Sequence, residues 1–157
     1  MIRRTAAIAI AAVGAAVLAV PLHAADFRTT ADAPTVLYDA PSAKARPQFV
    51  FGRDVPLEVL VSVEGWTKVR DVSGTIGWIA NKSLAERRVL QVRVASADVR
   101  ANPEDAAPLS FRASESVLLE LAEPASSPGT TASPGWVKVK HRDGLVGYVR
   151  VSQVFGL

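Results

Sequence analysis

The sequence predicts an all-β protein in which two small antiparallel barrels follow an N-terminal signal peptide. Three observations support this fold class. Two stretches, GWTKVRDVSGTIGW at 65–78 and GWVKVKHRDGLVGY at 135–148, repeat one pattern. Each stretch alternates polar and apolar residues with the period of a β-strand. Beyond the first 25 residues, no segment keeps a helical period for ten residues.

The first 25 residues have the three parts of a secretory signal peptide. Arg3 and Arg4 give a positive start, an apolar run spans residues 6–20, and Ala24 and Ala25 supply small residues for cleavage. An uncleaved anchor is the weaker alternative, because the run is shorter than the roughly 20 apolar residues that span a bilayer. We therefore expect export by the general secretory route, with membrane contact only through the signal peptide before cleavage.

Composition limits the classes of function. The chain carries 18 Lys and Arg against 15 Asp and Glu. Cleavage of the signal peptide removes Arg3 and Arg4 and leaves 16 cationic residues against the same 15 acids. We expect no nucleic-acid partner, because such a partner requires a clustered excess of basic residues. The chain has no cysteine, so packing without disulfides must stabilise the exported protein.

The repeat indicates duplication of a domain of about 60 residues. Six paired positions are identical: Gly65/Gly135, Trp66/Trp136, Lys68/Lys138, Val69/Val139, Gly74/Gly144 and Gly77/Gly147. Upstream, PQFVFGRDVPLEVL from Pro47 aligns without a gap with PLSFRASESVLLEL from Pro108. A Pro, Ser and Gly cluster at 123–135 predicts an enlarged loop in the second copy. The predicted divisions are a signal peptide at 1–25, a flexible N-terminus at 26–33, a first domain at 34–86 and a second domain at 87–157.

Within each copy the sequence predicts two strands joined by a tight turn. In WTKVR, alternation places Thr67 and Val69 on an inner face and the other three residues on an outer face. The segments DVSG and HRDG supply turn residues, and TIGWI and LVGYV return as partner strands. A glycine inside each returning strand, Gly77 or Gly147, indicates a close backbone approach or a sharp bend.

These segments resemble the C-terminal signature of bacterial SH3-like (SH3b) domains, G-W-x-K-V-x followed by G-x-x-G-W-[IV]. GWTKVRDVSGTIGWIANKSL and GWVKVKHRDGLVGYVRVSQVFGL are both similar to it. The tandem arrangement is similar to that of exported proteobacterial proteins with two such domains. The resemblance covers nearly all of residues 34–157. It implies two tandem SH3-like barrels that bind peptidoglycan or an envelope protein in the periplasm.

LYDA at 37–40 resembles the ALYDY motif of eukaryotic SH3 domains, which bind proline-rich helices in aromatic grooves. The rest of that groove is missing from the sequence. Only one Trp stands where a pair is usual, and Ala80 and Arg150 replace the groove proline. We therefore do not expect recognition of proline-rich ligands.

The sequence offers no constellation for catalysis. His23 belongs to the predicted signal peptide, and His141 stands alone in a predicted turn, where a metal site or a nucleophile relay would need partners. There is no cysteine nucleophile, G-x-S-x-G elbow, P-loop or G-x-G-x-x-G motif. Glu104, Asp105 and Glu115 could pair as acid and base, but charged loop residues are usually only solvated. We expect no enzymatic activity, metal or cofactor.

The outer face of the repeated strand is the candidate ligand surface. It carries an aromatic ring beside cations in each copy, and Tyr38 completes the set of candidates: Tyr38, Trp66, Lys68, Arg70, Trp136, Lys138 and Lys140. A ring can stack on a sugar while a cation binds a stem-peptide carboxylate. Alternatively, the tryptophans cap the barrel core and the cations only solvate its surface. Trp78 and Tyr148 favour a structural role, because apolar neighbours share their face.

Three classes of function stay open at this point. The leading hypothesis is a non-catalytic periplasmic module that binds peptidoglycan. The second is an adaptor that holds an envelope protein. The third, an enzyme, would need catalytic residues that the sequence does not contain. Two copies could raise avidity, or one copy could bind while the other supports it.

Overall fold

The structure, a computed structural model, describes residues 25–31, 34–122 and 134–157. These residues form fourteen β-strands and two short 3-10 helices, with no α-helix among them. The all-β prediction is therefore confirmed. The predicted signal peptide and most of the predicted loop at 123–135 lie outside the described residues. Neither 3-10 helix among the described residues has the length or the apolar character that a membrane-spanning helix requires.

The first sheet contains seven antiparallel strands in the order β3-β2-β6-β5-β4-β1-β7. They are β1 (Phe27–Thr30), β2 (Thr35–Tyr38), β3 (Pro47–Phe51), β4 (Pro56–Val63), β5 (Trp66–Arg70), β6 (Ile76–Ala80) and β7 (Leu84–Ala85). Five strands each give one buried side chain to the core, which consists of Leu37, Phe51, Leu57, Val69 and Ile79. Burial of this apolar surface stabilises the sheet.

The second sheet repeats this topology strand for strand, in the order β10-β9-β13-β12-β11-β8-β14. Its strands are β8 (Val89–Val92), β9 (Ser96–Arg100), β10 (Leu109–Ser114), β11 (Leu118–Leu121), β12 (Trp136–Lys140), β13 (Val146–Arg150) and β14 (Val154–Phe155). Each strand of the first sheet thus has a counterpart seven strands later. Two such sheets, each with its own core, fit the predicted pair of tandem SH3-like domains.

The N-terminal segment at 26–33, expected to be flexible, contains strand β1. This strand pairs with both β4 and β7. The hydroxyl of the buried Thr30 donates a hydrogen bond to the Gly52 carbonyl at 2.7 Å and accepts one from the Val55 N–H at 2.9 Å. Phe27–Thr30 are thus part of the first sheet, although the sequence analysis places them before the first domain. Sequence alone gave little sign of this strand, because FRTT shares no residue with its counterpart VLQV in β8.

The register of the strands corrects the upstream part of the repeat alignment. Leu57 and Leu119 occupy equivalent positions, because Leu57 pairs with Arg28, the second residue of β1, and Leu119 pairs with Leu90, the second residue of β8. Asp54 and Ser116, both with left-handed backbone at φ 63° and 67°, have the same spacing. The number of residues between equivalent positions of the two copies is therefore one larger than the alignment of Pro47 with Pro108 gives. In a strand, such a slip exchanges the inner and outer faces.

The glycine inside each returning strand is required by close packing. A Cβ atom on Gly77 would lie 2.6 Å from Cγ of Leu37 and 2.8 Å from the carbonyl oxygen of Tyr38. A Cβ atom on Gly147 would lie 2.7 Å from the carbonyl oxygen of Arg100. The close backbone approach predicted from the sequence is therefore confirmed in both copies, and it brings β6 against β2 and β13 against β9.

The two sheets contact each other through β1 and the C-terminal strand. The rings of Phe27 and Phe155 meet edge to face with their centroids 5.2 Å apart. Gly156 lies against Pro56, where an added Cβ atom would be 3.1 Å from the proline ring. Strand β1 therefore serves both the first sheet and the contact between the sheets.

Candidate functional site

Strand β5 has the alternation that the sequence predicts. Thr67 and Val69 are buried, whereas Trp66, Lys68 and Arg70 are only partly buried on the outer face. Alternation of side chains along a strand makes these two sets point in opposite directions. The prediction of the inner and outer faces is therefore confirmed.

Three aromatic rings gather on this outer face. The rings of Tyr38 and Trp66 meet edge to face at 5.6 Å between centroids, and Trp78 is the cross-strand partner of both Tyr38 and Lys68. The Lys68 Nζ atom lies 5.9 Å from the centroid of the Trp78 ring, within reach of a cation–π contact. We call Tyr38, Trp66, Lys68 and Trp78 the first aromatic face. The sequence favours a structural role for Trp78, but in the structure this ring lies beside the predicted candidates.

Arg70 lies at the far end of β5 and already has a partner. Its Nη1 atom donates a hydrogen bond to Oε2 of Glu58 at 3.1 Å, and the two residues are cross-strand neighbours. The carboxylate offsets the charge of this guanidinium. Lys68 is therefore the cation that stands beside the rings.

The second domain has an equivalent surface on β12 and β13. The Lys138 Nζ atom lies 5.9 Å from the centroid of the Tyr148 ring, which repeats the contact between Lys68 and Trp78. Arg100 takes the place of Tyr38, because each is the cross-strand partner of the second ring. We call Arg100, Trp136, Lys138, Tyr148 and Arg150 the second aromatic face. The third ring of the first face is absent from it, and Lys140 is exposed at its edge.

The main difference between the faces concerns the exposure of the repeated tryptophan. Trp136 is 5% exposed, and the guanidinium carbon of its cross-strand partner Arg150 lies 4.4 Å from its ring centroid. The corresponding partner of Trp66 is Ala80. A methyl group cannot cover an indole ring, so Trp66 stays partly exposed where Trp136 is covered.

Asp105 holds Arg150 over the ring. Its carboxylate accepts hydrogen bonds from both Nε, at 3.2 Å, and Nη2 of Arg150, the forked geometry that arginine and carboxylate favour. The hydrogen bond from Arg150 lowers the pKa of Asp105 and raises the pKa of the guanidinium. The Asp105 side chain is 76% exposed, so water screens the pair. Asp105 is nevertheless not the merely solvated loop residue that its position in the sequence indicated.

Next to this pair, Asp98 binds two further arginines. It accepts hydrogen bonds from Nε of Arg112 at 2.8 Å and from Nη2 of Arg100 at 3.0 Å. The Arg112 hydrogen bond, with the charge of both arginines, lowers the pKa of Asp98. With Trp136 and Arg150 these residues border a cavity of about 380 Å³. The second face therefore presents paired charges where the first presents rings.

The turns that follow β5 and β12 have a structural role. The Asp71 carboxylate accepts hydrogen bonds from the N–H groups of Ser73 at 2.9 Å and Thr75 at 2.8 Å. In the second copy His141 takes this place, with Nδ1 3.1 Å from a carboxylate oxygen of Asp143. Among the residues that the structure describes, no group of three or more His, Cys, Asp or Glu could hold a metal ion.

A larger cavity, of about 860 Å³, lies between the two sheets. Arg88, Arg142, Val117 and Leu118 are among the residues that line it. None of the sequence-predicted candidates lines this cavity. Its arginines are exposed to solvent, which screens their charge. We therefore place the candidate site on the aromatic faces.

Comparison with known proteins gives one family match. Residues 31–86 match the family model of the bacterial SH3 domain, and no curated protein matches the chain significantly. Among solved structures, NlpC2 from Trichomonas vaginalis is 16% identical to the chain with a TM-score of 0.37, and the match covers 84% of this chain and 48% of NlpC2. NlpC1 from the same organism has the same identity and TM-score, and the match covers 87% of this chain and 47% of NlpC1. An NlpC/P60 family protein from Bacillus cereus is 13% identical with a TM-score of 0.35, over 83% of this chain and 56% of its own. The chain thus spans about half the length of these structures.

Proposed function

Since residues 31–86 belong to the bacterial SH3 domain family, we propose that the protein is a non-catalytic, exported binding module that holds peptidoglycan in the periplasm. The first aromatic face is the observation that carries this proposal. It places partly exposed rings beside a lysine on one side of a rigid sheet. The signal-peptide pattern of the first 25 residues supports export.

The chemistry of this face suits a glycan that carries peptides. A sugar ring has an apolar side that packs on the flat face of an aromatic ring such as Trp66, and such contacts combine apolar burial with a defined geometry. The ammonium of Lys68 lies over the Trp78 ring, 5.9 Å from its centroid, where it can donate charge-assisted hydrogen bonds to a stem-peptide carboxylate. The proposal needs no proton transfer, nucleophile or metal, so we assign no catalytic residue.

A pull-down with purified sacculi tests the proposal. We expect the protein to sediment with sacculi at low salt. Trp66→Ala should weaken binding by about tenfold or more, as is typical for an aromatic anchor. Lys68→Ala should weaken binding less and make it less sensitive to salt, because screening acts on the lost charge pair.

The matched control for Lys68→Ala is Lys82→Ala, which removes the same charge from an exposed residue of the 3-10 helix after β6. We expect this variant to bind sacculi like the wild type. A wild-type protein that stays in the supernatant at low salt would rule out peptidoglycan as the ligand.

An edge strand favours the second candidate function, an adaptor for an envelope protein. Strand β3 forms one edge of the first sheet, and its Phe49 and Val50 side chains are 54% and 57% exposed. The residue equivalent to Val50 in β10 is Arg112, which is paired with Asp98. An apolar edge strand can add an extended segment of a partner as a further strand.

Crosslinking in living cells from a photoreactive residue at position 50 tests the adaptor. A single crosslinked protein, absent when the residue is placed at 112, would support it. If the protein binds sacculi and position 50 captures no specific partner, the adaptor hypothesis is wrong.

A further inference from the structure

The two aromatic faces are the same scaffold with a different residue opposite the repeated tryptophan. Trp66 faces Ala80, and Trp136 faces Arg150. The lysine beside the second ring is present in both faces, at 5.9 Å from the ring centroid in each. Other positions of the two faces also differ, since Arg100 replaces Tyr38 and Tyr148 replaces Trp78. Position 80 in the first domain, or 150 in the second, is the one directly opposite the repeated tryptophan, and its side chain leaves the ring open or covers it.

We propose that only the first domain binds the ligand, and that this position determines which domain does so. The inference rests on the proposed function and names its ligand more narrowly, as a sugar ring with a carboxylate nearby. Ala80 leaves the ring of Trp66 open to that sugar. Arg150 occupies the corresponding space on Trp136, so the second face is closed to the same ligand.

Two contacts keep the second face closed. The guanidinium carbon of Arg150 lies 4.4 Å from the centroid of the Trp136 ring, and Asp105 holds the guanidinium through two hydrogen bonds. A sugar could reach the ring only by displacing Arg150, which would leave the Asp105 carboxylate without its partner. On the first face the residue opposite Trp66 is Ala80, so no side chain at that position has to move before a sugar reaches the ring.

The charge around each ring supports the same assignment. Lys68 stands beside the rings of the first face, and its cross-strand neighbours Val61 and Trp78 carry no carboxylate, so a ligand carboxylate can approach it. On the second face the guanidinium groups of Arg100, Arg112 and Arg150 already donate to Asp98 or Asp105, so a ligand carboxylate would have to compete with these two residues. Access to the ring and the pairing of the charges thus both favour the first domain.

Quenching of tryptophan fluorescence tests the closure without any ligand. The chain has three tryptophans, so the changes Trp66→Phe and Trp78→Phe leave Trp136 as the only one and do not touch the second face. We expect acrylamide to quench Trp136 weakly in this background. Arg150→Ala should raise the quenching constant about two- to threefold, and Asp105→Asn should raise it by a smaller factor, because the ring contact remains when the ion pair is lost.

Arg112→Ala is the matched control for this measurement. Arg112 is an exposed arginine of the same surface that pairs with Asp98 and does not cover the ring. The quenching constant should not change in this variant. A quenching constant that Arg150→Ala leaves unchanged, with circular dichroism showing a folded protein, would overturn the proposed closure.

Binding of a soluble disaccharide-tetrapeptide muropeptide tests the choice of domain. In the full chain, the indole N–H resonances of Trp66, Trp78 and Trp136 can be followed separately by NMR. We expect the muropeptide to shift the first two and leave Trp136 in place. In Arg150→Ala, the Trp136 resonance should shift as well.

The outcomes separate this inference from the function on which it rests. Equal shifts of Trp66 and Trp136 in the wild type would overturn the inference and leave peptidoglycan binding intact. If no indole resonance shifts and sacculi do not bind, the proposed function and its ligand are wrong. The quenching result then still decides whether Arg150 closes the second face.

Discussion

Arg150 and Trp136 are cross-strand partners, and the guanidinium carbon of Arg150 lies 4.4 Å from the centroid of the tryptophan ring. In the first domain the same pair of positions holds Ala80 and Trp66. The repeated tryptophan is therefore part of the covered structure in one domain and part of the accessible surface in the other. The two interpretations of this residue that the sequence leaves open apply to different copies.

Truncation of the two tryptophans should separate these roles. We expect Trp136→Ala to lower the free energy of unfolding by about 3 kcal/mol, because a nearly buried ring is removed. Trp66→Ala should cost about 1 kcal/mol, because its ring already has partial access to water. Chemical denaturation followed by circular dichroism measures both values. Equal costs would contradict the assignment of different roles.

Acid should open the second face only below the ordinary ionisation range of aspartate. The hydrogen bond from Arg150 lowers the pKa of Asp105 in the folded protein. A carboxylate with a depressed folded pKa contributes stability above its unfolded pKa of about 3.9. That contribution is lost as the pH falls through the lower folded pKa. Trp136 should therefore keep its near-neutral NMR position down to about pH 4 and shift only in more acidic solution.

Two variants check that the acid transition belongs to this pair. Asp105→Asn should remove the transition, because the amide cannot titrate. Glu104→Gln, a change at the neighbouring exposed residue, should leave it unchanged. A Trp136 signal that moves between pH 5 and 7 in the wild type would show that another group controls the ring.

Local patterns in the sequence were sufficient for the strands that carry the first face. Alternation in WTKVR fixed which side chains point outward, since neighbouring side chains of a strand must lie on opposite faces. The glycine of β6 was informative because close packing permits no other residue. These features depend on residues close in sequence or on a repeat that displays them twice.

The features that the sequence did not reveal depend on contacts between distant residues. Asp105 and Arg150 are 45 residues apart, and no local pattern joins them. The difference between Ala80 and Arg150 was visible in the repeat, but its effect required the cross-strand register. Strand β1 was missed because its stability comes from pairing with β4 and β7. Matching the two prolines misplaced the upstream repeat by one residue for the same reason.

Substitution of the glycine inside β6 should destabilise the first domain. Gly77→Ala places a Cβ atom 2.6 Å from Leu37 and 2.8 Å from the Tyr38 backbone, so β6 must move away from β2. We expect a loss of about 1–3 kcal/mol in the free energy of unfolding, as for other overpacked cores. Gly52→Ala is the control, because nothing lies within 4 Å of its added Cβ atom. If both variants unfold at the same denaturant concentration, the close approach of β2 and β6 is not essential.

Removal of one hydroxyl should test whether β1 belongs to the first domain. The buried Thr30 hydroxyl donates to the Gly52 carbonyl and accepts from the Val55 N–H, and the equivalent position in β8 is Val92. Thr30→Val therefore keeps the shape of the side chain and leaves two backbone groups without partners. We expect a loss of about 1–3 kcal/mol, measured by chemical denaturation. Thr30→Ser retains both hydrogen bonds and should lose less than Thr30→Val. A wild-type unfolding curve for Thr30→Val would mean that β1 contributes little to the stability of the sheet.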